Sequence, residues 1–143
     1  MNAFRNPFLL VVLFCSLFLV KCSCPDETED SLIKLISKSW KISTLTVDND
    51  AVTTGIDDFT LSLNQSGDAP TTFAITAGGL AYNFAGDIDG SWSLNNNTNP
   101  TQATFAGNTV SFSGSEAQLT ISYNQAGAPG KPQEAVRFVL VPR

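Results

Sequence analysis

FTLSLNQSGDAPTTFAIT, residues 59–76, obeys one rule in each of its halves. Phe59, Leu61 and Leu63 take alternate positions of FTLSLN (59–64), and Phe73 and Ile75 take alternate positions of TTFAIT (71–76). Period-two alternation lines all of them up on one side of a half-buried strand, whereas a helix would scatter them. QSGD between the halves is turn chemistry, with Gly and Asp tolerating the backbone angles that reverse a chain. The stretch therefore predicts an antiparallel hairpin with one apolar face.

The same pattern extends in both directions. WKISTLTV (40–47) begins the series on the N-terminal side. On the C-terminal side come LAYNF (80–84), SWSL (91–94), QATF (102–105), TVSFS (109–113), AQLTISY (117–123) and AVRFVLV (135–141). Short turn signals separate them: DND, AGG, GDIDG, AGN, SGS and AGAPGKP. Connections this short give sequential antiparallel hairpins, not crossovers. The fold class is all-β. Eight or nine strands with one apolar face each must close into a small antiparallel barrel or split into a sandwich. A meander of hairpins favours the barrel, which leaves no edges. One short helix is expected ahead of it, over DSLIKLISKS (30–39), with Asp30 and Ser31 as its cap.

The first thirty residues read as an address. Arg5 is the only charge before the apolar run PFLLVVLFCSLFLV, Pro7 to Val20, the order of a secretory signal. At the helical rise this run reaches about 21 Å, short of the roughly 30 Å hydrocarbon core of a bilayer. Leu19-Val20-Lys21-Cys22 follows and resembles the lipobox of bacterial lipoproteins, with Lys21 where that family carries a small residue. The resemblance implies a signal peptide over 1–21 and a lipid on Cys22, with Cys24 as the alternative. The tether 22–30 then carries Asp26, Glu27, Glu29 and Asp30. It is either a solvated linker held extended by like charge or, by resemblance, the acidic signal that sends some lipoproteins to the cell surface. A disulfide between Cys22 and Cys24 would close a strained ring. The implied place is the outer membrane, lipid-anchored, on its periplasmic face or at the cell surface.

Residues 31–143 make one domain of modest core. With no His anywhere and no Cys beyond the tether, Ser-His-Asp and Cys-His chemistry is excluded, and so are the usual zinc sites. No glycine-rich loop carries the lysine of a phosphate cradle, so neither a cofactor nor an enzymatic role is expected. Beyond Cys24 there are six Lys/Arg against thirteen Asp/Glu, a net of −7, which makes nucleic acid a poor partner. Asp57 with Asp58, and Asp87 with Asp89, are carboxylate pairs, but GIDDF and GDIDG are sequences that tight turns use anyway. No metal site is expected.

The short helix, SWKISTLTVDNDAVT (39–53), FTLSLNQSG (59–67), GSWSLNNN (90–97) and LTISY (119–123) together resemble the lipocalin-like domains of small bacterial lipoproteins. That family opens its first strand with Gly-x-Trp; here Trp40 stands in place and Lys38 replaces the glycine. The resemblance implies that Trp40 closes the barrel floor against an arginine of the last strand, for which Arg137 is the candidate. Two functions follow. One is a structural or protein-interaction role at the cell envelope, the membrane reached through the N-terminal lipid and an envelope protein as partner. The alternative is carriage of a small hydrophobic ligand, with Trp40, Tyr82, Phe84, Trp92, Phe112 and Tyr123 as wall residues. A filled interior would favour the first.

Overall fold

The computed structural model describes residues 30–127 and 129–143. The expected signal peptide, Cys22, Cys24 and most of the acidic tether lie outside these residues. A short helix, α1 (Leu32–Ile36), leads into nine strands: β1 (Ser39–Val47), β2 (Asp50–Ala51), β3 (Thr60–Ser66), β4 (Ala69–Thr76), β5 (Asp89–Leu94), β6 (Gln102–Phe105), β7 (Asn108–Gly114), β8 (Leu119–Gln125) and β9 (Glu134–Pro142). All neighbours pair antiparallel, in the order β1-β3-β4-β5-β6-β7-β8-β9, and β9 returns to β1. Eight strands thus close a barrel. β2 is an extra two-residue strand on β1.

Turn chemistry sets the hairpins. Val47 pairs with Asp50 across Asp48-Asn49, both at positive φ (52° and 74°), and Phe105 pairs with Asn108 across Ala106-Gly107 (47° and 90°). Two positive φ values in a two-residue loop match the natural twist of the flanking strands. In the β5–β6 loop, the asparagines of NNNTNP replace missing backbone partners. Asn95 Oδ1 accepts from the N–H groups of Thr101 and Gln102, and Asn96 Oδ1 from those of Thr98 and Asn99.

The hairpin over 59–76 forms as its alternation requires, with Phe59, Leu61, Leu63, Phe73 and Ile75 all inside. In β1 the simple alternation fails. The register shifts between Ile42 and Thr44, so Trp40 and Ile42 face inward and, after the bulge, Leu45 does. One extra residue in a strand resets which side chains point in.

LAYNF (80–84) is not a strand. It lies in the Ala77–Ile88 connection between β4 and β5, where Gly78, Gly79 and Gly86 adopt positive φ (62°, 88° and 77°). These angles bend the segment across one end of the barrel, and Phe84 and Ala85 enter the core from above.

The helix is also shorter than expected, and Ser31 does not cap it: its hydroxyl donates to Asp68 Oδ1 at 2.8 Å, in the β3–β4 turn. Lys34 Nζ meets the same Asp68 oxygen at 3.7 Å. α1 is thereby fastened to that turn and buries Ile33 and Ile36 completely. The two barrel ends are closed differently, one by a helix and the other by a loop.

Candidate functional site

At the helix end Trp40 is fully buried, and its indole Nε1 donates to the Ile36 carbonyl at 2.8 Å. That oxygen belongs to the last turn of α1, which has no helical donor for it. Trp40 thus joins helix and barrel with one side chain. The arginine expected above it is elsewhere. Arg137 pairs with Thr46 and Ser122, is exposed, and lies toward the opposite end of β9 from Pro142, the partner of Trp40. The cation over the Trp40 ring is Lys38, the residue standing where the glycine was expected. Its ammonium also donates to the Glu116 carbonyl at 2.7 Å.

At the loop end, the mouth, the Ala77–Ile88 segment acts as a lid. Phe84 is 3% exposed and meets Phe105 and Phe138 edge-on at 5.0 and 5.5 Å between ring centroids. Its position is fixed from both sides. Asn83 Oδ1 accepts the Ala85 N–H at 2.9 Å, and the side-chain amide of Asn108, at the start of β7, donates to the Ala85 carbonyl. Tyr123 stacks on Phe138, 6.4 Å between centroids and 22° between planes. Burial pushes its phenol up to about 12, the like-charged phenol of Tyr82 adds to this, and the Asn83 backbone N–H works against it. The lid therefore rests directly on Tyr123.

Of the residues expected to form a ligand wall, Tyr82, Phe84 and Tyr123 come together at the mouth. Tyr82 and Tyr123 are half-buried there. Phe112 is buried in the barrel, and so is Trp92, which stacks on Phe105 at 6.5 Å and donates from Nε1 to the Asn64 carbonyl at 2.8 Å. Trp40 stands apart at the helix end. Asp57, Asp58, Asp87 and Asp89 lie in or beside the connections at the mouth, and with Asp48 and Asp50 they make an exposed acidic rim. No cluster of three metal-ligating side chains occurs among the described residues.

Three shallow concavities lie on the barrel wall, of about 280, 320 and 350 Å³. Ser111 and Ser122 line all of them. The reason is a break in the sheet. β7 and β8 pair from Gly114↔Leu119 to Ser111↔Ser122 and no further, although β7 starts at Asn108 and β8 runs to Gln125. Past Ser111 and Ser122 the strands part around the lid, and Phe84 and Val110 show at the bottom of the gap. Sequence reasoning did not find this seam, nor Asn83 and Asn108. The only local sign was Gly86, which marks the segment before it as a loop.

No family model, curated protein or solved structure matches this chain.

Proposed function

We propose that this chain is an exported, lipid-anchored lipoprotein whose lipocalin-like barrel serves as a structural or protein-interaction module at the cell envelope. One observation carries the reading: the barrel interior is occupied by the chain's own side chains. Phe59, Phe73, Phe84, Phe105, Phe112 and Phe138 are all buried, and five of them meet another phenylalanine ring at 5.0 to 5.7 Å. An eight-stranded barrel is narrow enough to be filled in this way. A filled barrel is a stiff body that presents surfaces, not a container.

The lipobox-like Leu19-Val20-Lys21-Cys22 supports the anchor. Metabolic labelling with a fatty-acid analogue is expected to be abolished by Cys22→Ala; retention of label in that variant and its loss in Cys24→Ala would move the anchor. For the barrel, titrating fatty acids, polyenes and small aromatics against intrinsic Trp fluorescence is expected to give no saturable change. A saturable change at micromolar ligand, about −8 kcal/mol of binding, would replace this reading with the carrier.

The carrier reading has one observation in its favour. Phe84, the plug of the mouth, sits on a loop and not on a strand. Against it, the acidic rim repels the carboxylates of fatty acids.

A further inference from the structure

The seam between β7 and β8 has a use that a filled interior does not exclude. The three concavities that share Ser111 and Ser122 run into one another. They form a trough on the outside of the barrel, from Pro100 and Thr101 in the β5–β6 loop, past Ser113 and Thr120, to Asn108 and Asn124 at the mouth. Its Thr120-to-Asn124 stretch alone covers about 14 Å at the strand rise. The trough is thus elongated, and a chain molecule fits it better than a compact one.

Its chemistry is neutral and polar. Hydroxyls of Ser111, Ser113, Ser122 and Thr120 and amides of Asn99, Asn108 and Asn124 line it. No Asp or Glu does, despite the acidic rim nearby, and Arg137 is the single charge. A polyanion would find too few cations there, and a polycation no carboxylate. Hydroxyls and amides offer donors and acceptors side by side, which suits ligands that carry both. The break in pairing adds backbone groups. In the register of the Ser111↔Ser122 pair, Val110 would face Tyr123 and Thr109 would face Asn124, but neither pair forms. Half-buried Tyr123, with buried Phe84 beneath it, supplies an apolar floor at this end, against which the C–H face of a sugar ring can lie.

We propose that this trough binds an unbranched, neutral glycan chain, with sugar hydroxyls on the Ser111, Ser122 and Asn124 side chains and one ring over Tyr123. The proposal rests on the envelope reading above, because such chains are encountered outside the cytoplasm.

The test uses the full-length protein in detergent micelles, isotope-labelled for amide resonances. The probes are cello-, chito- and malto-hexaose, with an uncharged extended hexapeptide in a parallel arm. Saturable shifts confined to residues 99–101, 108–113 and 120–124 are expected with at least one hexaose. Asn124→Ala and Ser122→Tyr, both on the outer surface, are expected to weaken that binding tenfold or more while leaving the remaining spectrum in place. No saturable shift with any hexaose up to millimolar concentration overturns the proposal, as do shifts produced by the peptide alone, which would make the seam a strand-pairing edge. These outcomes are separate from the anchor and carrier tests: glycan binding can fail while labelling of Cys22 and silence toward apolar ligands persist.

Discussion

The ammonium of Lys38 lies 5.0 Å from the centroid of the Trp40 ring, two residues away on the same strand entry. A single short segment therefore supplies both the plug of the barrel floor and the cation that covers it. An arginine of the last strand was expected to cover Trp40; the cation comes instead from Lys38, the residue just before β1. Arg143, just past β9, is occupied instead with the Thr60 hydroxyl and with the Ser39 carbonyl, which its N–H reaches at 3.0 Å.

The indole and the ammonium make unequal contributions. Trp40→Phe removes buried volume and takes one of the two donors from the Ile36 carbonyl, which keeps only the Lys38 N–H, and is expected to cost about 2–4 kcal/mol. Lys38→Gln keeps the stem and loses the charge, and is expected to cost about 0.5–1 kcal/mol. Urea unfolding measures both. Equal losses would mean that the floor is held by charge and not by packing.

Phe84 is a core residue delivered by a loop. Phe84→Ala is expected to lower stability by about 3 kcal/mol and to raise amide exchange across 80–88 ahead of global unfolding. A loss below about 1 kcal/mol would show that the lid closes over the hole and that the plug is dispensable.

Gly78 and Gly79 are adjacent, both at positive φ, and differ in surroundings. A Cβ on Gly78 would come within 2.6 Å of the Asp58 Cβ, whereas one on Gly79 meets nothing within 4 Å. Gly79→Ala is expected to cost only the backbone term of about 1–2 kcal/mol. Gly78→Ala adds a steric clash to that, and its melting temperature should be the lower of the two. Reversed order would mean that the lid approaches Asp58 less closely than described.

Tyr123 makes stability depend on alkali. Its phenol ionises near 10 in the unfolded chain and at about 12 in the folded one. The folded state therefore holds a proton that the unfolded state has already lost across this window. The contribution is fully present below pH 10 and disappears as pH rises toward 12. Tyr123→Phe should flatten this part of the stability profile, and ultraviolet titration of the phenolate should show one late-ionising tyrosine in the parent protein.

The barrel was legible because alternation is local. In Leu61-Ser62-Leu63 and Val136-Arg137-Phe138 each residue announces its side of the sheet, and the sheet agrees. LAYNF alternates just as cleanly, yet its apolar residues point down into the mouth from a loop. Alternation reports that side chains are buried on one side, not that the backbone has a neighbour to pair with. The β1 bulge was legible in principle: the apolar residues of WKISTLTV stand at 40, 42, 45 and 47, and the single three-residue step marks the inserted residue. The trough could not be read at all. It arises where β7 and β8 stop pairing, and neither Thr109 nor Asn124 looks locally unlike a paired strand residue.

The first strand finds its long partner in the last. β1 is matched to β9 from Trp40↔Pro142 to Val47↔Val136, while its ladder to β3 is only Ser39↔Ser62 and Trp40↔Leu61. Closure of the cylinder must therefore await the arrival of the C-terminal strand, whatever hairpins have formed before it. Pairings so distant along the chain slow folding, because the loop between them has to be ordered before the contact repays it. A nascent chain that is truncated before Glu134 leaves both β1 and β8 with open edges, and such species are expected to aggregate or be degraded, not to persist as a smaller barrel.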